Sequence, residues 1–141
     1  MSNAYNYDSQ NHDIILTIAN VPYKVSDYGE DTKITISYEE DFKSTTMGVD
    51  GDYTKSKNHN RNALVTLKVL QESPLNAVMA VAAATGEDFY LAHVDRNFSG
   101  DVGHFSSDAY FVKIPDLNVG KQAGSREWQV RAHNLKANFV L

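Results

Sequence analysis

Apolar and polar positions alternate most clearly between residues 64 and 70. The apolar positions, which share one face of an extended chain, are Val65, Leu67 and Val69. A period of two residues is typical of a strand with one buried face. The pattern therefore predicts a half-buried β-strand in this segment.

A short helix is predicted directly after this strand, at about residues 74–85. Ser73 can supply an N-cap oxygen, and Pro74 suits the first helical position, where its missing N–H costs no hydrogen bond. Gly86 is placed to end the helix in a left-handed turn. The helical residues that we expect in the core include Leu75, Val78 and Met79.

Further strands are predicted wherever short runs of apolar residues alternate with polar ones. These segments are 13–24 (a strand pair or one bent strand), 33–38, 88–94, 104–114 and 127–134. One helix among many strands predicts a mainly β fold, either a β-sandwich or a partly closed barrel, with the helix on its flank. We expect residues 1–141 to form a single domain.

Residues 48–60 form a polar segment with turn-forming residues at both ends, and we expect an exposed loop or protruding hairpin there. The preceding residues, 42–49, are expected to extend a hairpin from the strand at 33–38. Asp50-Gly51-Asp52 resembles the start of a calcium loop, but Lys55 and Arg61 stand where an EF-hand needs glycine and a bidentate glutamate. No calcium site is therefore expected.

Charge is distributed unevenly along the chain, whose formal net charge is −5. One segment is acidic and contains Asp27, Glu30, Asp31, Glu39, Glu40 and Asp41. The segment that follows is basic and contains Lys55, Lys57, Arg61 and Lys68. These are either two solvated regions or complementary surfaces that meet head to tail between copies.

Composition excludes several classes of protein. The chain has 42% hydrophobic residues, enough for an ordinary core, and no cysteine, so it has neither disulfides nor a thiol nucleophile. The polar start and the short apolar runs predict a soluble protein made inside the cell, without signal peptide or membrane span. The negative net charge argues against ordinary DNA binding, which depends on neutralising phosphates.

Candidate catalytic chemistry is sparse. Five histidines are scattered singly, without the spacing of a metal-binding helix. The sequence contains no nucleophile elbow, and no pair of carboxylates lies in settings that would push their pKa values apart. We therefore expect neither enzymatic activity, nor a metal, nor a cofactor.

The chain has a family resemblance that rests on three stretches, which occur in this order: GVDGDYTKSK, VTLKVLQESPLNAVM and HFSSDAYFVKIPDLNVGKQAGSREWQVRAHNL. The sequence resembles tail-tube proteins of contractile-tailed bacteriophages over Thr46 to Leu141. The most specific parts of the resemblance are residues 65–76, 113–117 and 127–130.

The resemblance implies a structural virion protein of the inner tail tube, related in plan to the type VI secretion tube protein. Such subunits form hexameric rings that stack into a conduit for DNA, which passes without specific binding. The partners implied are further copies of the chain, the tail sheath protein, and baseplate and tail terminator proteins. Assembly would take place in the host bacterial cytoplasm, without membrane insertion.

The resemblance also suggests roles for the charged residues. The protruding segment would bridge neighbouring rings, and its candidate contact residues are Asp50, Asp52, Lys55, Lys57 and Arg61. The six acids of residues 27–41 would line either an acidic lumen, which repels passing DNA, or the surface on which rings stack.

Other functions use the same kind of scaffold. The subunit could instead belong to the tube of a phage-derived bacteriocin or a secretion system. A β-sandwich that binds a receptor or carbohydrate is the alternative from the binding class. Its aromatic residues would be expected to cluster in one loop, whereas here they are spread along the strands.

Overall fold

The structure, a computed structural model, describes residues 7–26, 28, 33–97, 102–117, 119–122 and 124–139. A short 3₁₀ turn at Ser9–Asn11 precedes the first strand. The strands are β1 (His12–Ile18), β2 (Val21–Lys24), β3 (Ile34–Tyr38), β4 (Lys43–Met47), β5 (Tyr53–Lys57), β6 (Ala63–Leu70), β7 (Phe89–Asp95), β8 (Val102–Phe111), β9 (Ser125–His133) and β10 (Lys136–Phe139). The helix α1 (Leu75–Thr85) lies between β6 and β7.

Eight strands form one antiparallel sheet. Its order is β2-β1-β7-β8-β9-β6-β3, and β10 continues the line of β9 alongside β8. Among the described residues no ladder joins β2 to β3, so the sheet is not a closed barrel. The prediction of a mainly β fold with one flanking helix is confirmed.

One face of this sheet encloses a single hydrophobic core. The core draws side chains from β1, β6, β7, β8, β9 and α1, and Trp128 is its largest fully buried side chain. The sheet curls, and Lys33 Nζ, just before β3, lies 3.5 Å from the carbonyl oxygen of His12, at the start of β1. Burial of apolar side chains on one curved face is what stabilises the fold.

Helix α1 packs on the sheet through a buried polar residue as well as through apolar ones. Met79 is buried, whereas Leu75 and Val78 are partly buried against the core. Asn76 accepts a hydrogen bond from Trp128 Nε1 at 2.9 Å, and its own amide donates to carbonyl oxygens of the turn before the helix. These bonds fix the helix relative to β9.

The helix begins at Leu75 with Pro74, rather than the predicted Ser73, in the cap position, whereas its C-terminal end follows the sequence prediction. Ser73 Oγ accepts a hydrogen bond from the Leu75 amide at 3.3 Å, and Pro74 already has helical angles of φ −64° and ψ −16°. Gly86 ends the helix at φ 68°, in the left-handed region that glycine adopts without a steric penalty.

Two hairpins shape the N-terminal part of the chain. Segment 13–24 is a strand pair, β1 and β2, joined by Ala19 and Asn20, which both have positive φ, as a tight two-residue turn requires. The prediction of a hairpin between residues 33–38 and 42–49 was wrong. β3 pairs with β6, whereas β4 pairs with β5 in a separate two-stranded sheet.

Within the part of the chain that the structure describes, no helix has the length and apolar character needed to cross a membrane.

Candidate functional site

The hairpin of β4 and β5, residues 43–57, is named here the projecting hairpin. All of its strand residues are exposed, and its two strands form a sheet separate from the main one. A two-stranded hairpin is marginally stable in water unless another surface covers it. The projecting hairpin is therefore a candidate contact surface for another molecule.

One face of the projecting hairpin is basic. Lys43 lies directly opposite Lys57, and Lys55 follows on the same face. Like charges placed opposite each other on a β-ladder destabilise it. An acidic partner surface would relieve this repulsion.

The tip of the projecting hairpin, residues 47–53, combines apolar and acidic side chains. Val49 is fully exposed, and Met47 and Tyr53 are 65% and 60% exposed. Asp50 and Asp52 flank the turn glycine at position 51, whose φ is 90°. Large apolar side chains grouped on an exposed tip are typical of an interaction site.

Hydrogen bonds hold the base of the projecting hairpin. Asn58 and Asn60 each donate to Glu40 Oε2, at 2.8 and 2.9 Å. These two bonds lower the pKa of Glu40, because they favour its charged form. Arg61 Nη1 donates to the Asn58 carbonyl oxygen at 2.6 Å, so this predicted contact residue is partly engaged within its own chain.

The structure brings part of the acidic segment to this base. Glu39 forms an ion pair with Arg131 at 3.2 Å, Glu40 accepts hydrogen bonds from the two asparagines, and Asp41 is exposed. Asp27, Glu30 and Asp31 lie outside the described residues. The acids of residues 39–41 thus lie beside the projecting hairpin.

A groove lies at the base of the projecting hairpin and is named here the root groove. Its lining residues are Tyr38, Phe42, Arg61, Asn134, Leu135, Lys136 and Ala137, and its volume is about 630 Å³. The Tyr38 hydroxyl donates to the Leu135 carbonyl oxygen at 2.9 Å, and the Tyr38 ring meets the Phe42 ring edge to face. The Arg61 guanidinium lies 3.7 Å from the centre of the Phe42 ring. The groove therefore has rigid, partly aromatic walls.

The main sheet leaves strands β2 and β3 at the two ends of its path. Edge strands present unpaired backbone groups that can pair with another chain. Pro22 in β2 cannot donate a ladder hydrogen bond, which fits an edge position. Val21 beside it is 47% exposed.

Three of the five histidines meet on adjacent strands in what we call the histidine row. His93 Nε2 lies 3.0 Å from His12 Nδ1, and His93 Nδ1 lies 3.0 Å from His104 Nδ1. His12 Nε2 is 3.7 Å from Asp95. Burial, followed by the neighbouring His104 and His12, lowers the pKa of His93 to about 4, and burial lowers that of His104 as well.

The histidine row is a chain of rings rather than a chelate, because the two nitrogens of His93 face different neighbours. Among the described residues no group of three His, Asp or Glu side chains is arranged to hold a metal ion. The spacing of the histidines in the sequence does not indicate the row, although His12 and His93 each alternate in phase with the buried apolar residues of their strands. The register that aligns the strands was the missing information.

Exposed sheet edges, a projecting hairpin with an apolar tip and a neighbouring groove are features of a subunit that assembles with others. Residues 12–139 match the family described as bacteriophage PhiTE tail tube protein. The chain belongs to this family of phage tail tube proteins.

Relatives and solved structures are similar to the chain over most of its length. Structural protein ORF10 of Pseudomonas phage KPP10 is 24% identical over 119 residues, which cover 81% of this chain and 69% of that protein. A chain from the anti-feeding prophage cap superposes with a TM-score of 0.55 at 9% identity, covering 99% of this chain and 95% of that chain.

A chain from the sheath/tube terminator of the extracellular contractile injection system PVC, in its extended state, also has a TM-score of 0.55. Its identity is 11%, and the match covers 98% of this chain and 100% of that chain. At these identities the likeness shows a shared fold. The fold is thus one found in contractile injection systems.

Proposed function

We propose that this chain is a subunit of the inner tail tube of a contractile phage tail. Copies form hexameric rings, and the rings stack into a hollow conduit for DNA. The family match over residues 12–139 carries this proposal. The subunit has a structural rather than a catalytic role.

Pairing of sheet edges between copies explains how a ring closes. The β2 edge of one copy adds to the β3 edge of the next, so both rows of unpaired backbone groups become satisfied. Such a contact joins two different surfaces. It produces a ring when the rotation that relates neighbouring copies returns to the first copy after a full turn.

The projecting hairpin joins one ring to the next. Its basic face meets the acids of residues 39–41 on a neighbouring copy, since opposite charges favour one register and orientation. Lys55, Lys57, Asp50 and Asp52 lie on the part that projects, while Arg61 acts at the base.

The remaining acids of the acidic segment, Asp27, Glu30 and Asp31, face either the lumen or the stacking surface. Acids in the lumen would repel DNA phosphates and let the genome pass without specific binding. Glu39 and Glu40 lie beside the projecting hairpin, and this position favours the stacking surface over the lumen for them.

The partners of this tube are the tail sheath protein outside it, and baseplate and terminator proteins at its ends. Assembly takes place in the bacterial host cell, and the finished subunit resides in the virion. The same subunit plan would serve a phage-derived bacteriocin or a secretion system.

A tube terminator is the second candidate. Two solved chains with this fold come from a tube-terminating cap and a sheath/tube terminator. A terminator would form a single ring that does not stack on further copies of itself.

Negative-stain electron microscopy of the concentrated, purified protein tests these functions. A tube subunit should form hollow tubes or stacked rings, and a terminator should form isolated rings. A monomer that forms neither at any concentration would contradict both.

A further inference from the structure

The root groove offers a partly apolar surface that the described residues of its own chain do not fill. Phe42 is 43% exposed at the edge of the groove, and Ala137 is exposed opposite. A volume of about 630 Å³ is in the size range of pockets that bury a ligand or several side chains.

The projecting hairpin cannot fill the groove of its own subunit. Each strand of the hairpin contains five residues and, at about 3.4 Å per residue, spans about 17 Å. Its tip therefore lies about that far from the groove at its base. The hairpin tip of the same subunit is therefore not the occupant of its groove.

The tip and the groove match in chemistry. Met47, Val49 and Tyr53 at the tip present apolar surface, which the Tyr38 and Phe42 rings can cover. Asp50 and Asp52 at the tip correspond to Arg61 and Lys136 at the groove, so opposite charges meet around an apolar centre. Buried apolar anchors within a charged rim are typical of protein interfaces.

We propose that the root groove binds the tip of the projecting hairpin of a second copy. This inference rests on the proposed stacking of rings and specifies which surface receives the hairpin. Each copy then donates one tip and accepts another, so the contact is head to tail and repeats indefinitely.

Cysteine crosslinking tests the contact directly, because the natural chain contains no cysteine. Val49→Cys is made in one protein and Ala137→Cys in a second, differently tagged protein, and the two are mixed, assembled and oxidised. The control pairs Val49→Cys with Val81→Cys, which lies on the helix and is 63% exposed. Assembly of each mixture is checked by electron microscopy.

A mixed disulfide between positions 49 and 137, at least tenfold above the control pair, is the expected result. Tubes that form without this crosslink, or with equal crosslinking to position 81, would overturn the groove contact and leave the tube function intact. Failure of the wild-type protein to form rings or tubes would instead remove the proposed function, and the groove contact with it.

A charge exchange gives a second measurement. Asp50→Lys and Lys136→Glu should each reduce tube formation, and the double variant should recover most of it. Lys136 is exposed, so its replacement leaves the core unchanged. Loss in both single variants with no recovery in the double variant would contradict a direct contact between tip and groove.

Discussion

At the scale of single residues, the structure relies on a few buried polar side chains with defined partners. Asn76 connects the helix to Trp128, and His93 connects two further histidines. A buried polar group without a partner would cost about 1–3 kcal/mol. Such residues therefore hold neighbouring elements in one arrangement, and their protonation matters.

His93 should make the stability of the subunit depend on pH. The folded state keeps His93 neutral down to about pH 4, whereas the unfolded chain protonates it near its ordinary pKa of 6.5. Between these values the unfolded state binds more protons, so the free energy of unfolding falls as pH falls. The loss should reach roughly 3 kcal/mol at most, and urea denaturation above pH 6.5 and near pH 4 measures it.

The charged and titratable groups facing His93 are His12, His104, Asp95 and Asp13. His93→Gln removes one titrating ring and keeps a polar side chain, so it should flatten the decline with pH. An identical decline in the variant would assign the pH dependence to other groups.

At the scale of secondary structure, the alternation of apolar and polar residues predicted the strands that have one buried face. The polar strands β4 and β5 have no buried side, so no pattern of apolar residues indicated that they pair with each other. β10 was not predicted. The helix could be predicted well because Pro74 and Gly86 mark its two ends.

Candidate contact residues were easier to predict than their surroundings. The exposed charges of the projecting hairpin are evident from composition, but the root groove joins residues from three distant segments. The registers of β3 against β6 and of β6 against β9 bring Leu135 to Tyr38 and Phe42. Long-range pairing of this kind leaves no local signal in a single sequence.

Gly103 shows how tightly β7 and β8 are paired. A Cβ atom at this position would lie 2.0 Å from the His93 carbonyl oxygen, a backbone atom that cannot move aside alone. Gly103→Ala should therefore destabilise the fold by about 1–3 kcal/mol or more. Gly120→Ala is the matched control, since nothing lies within 4 Å of its added methyl group. Equal thermal stability of the two variants would show that the strands can separate.

At the scale of the whole molecule, the two end strands of the sheet and the projecting hairpin come from a different part of the chain than most core strands, whereas the root groove also takes residues 134–137. The free sheet edges and the projecting hairpin fall within residues 21–57, whereas apart from β1 the core strands run from Ala63 onward. Changes to the exposed strands of the projecting hairpin should therefore leave the subunit folded.

Reversing the basic face tests this separation. Lys55→Glu combined with Lys57→Glu should impair tube formation while the monomer stays folded, because Lys43 would then face an acid instead of a like charge. Circular dichroism reports the fold, and electron microscopy reports the tubes. Lys113→Glu with Lys121→Glu, the same charge change on exposed residues elsewhere, serves as control. Normal tubes from the first variant would exclude the hairpin from inter-ring contact.

A contact in which every subunit gives a tip and receives one has a consequence for the finished particle. However many layers are added, the lowest and highest are never equivalent: one terminal layer presents vacant grooves, and the other presents unbound hairpins. The polymer therefore has a direction. The protein that starts it and the protein that stops it must recognise different chemistry, an aromatic, positively charged recess at one extremity and an apolar, negatively charged knob at the other.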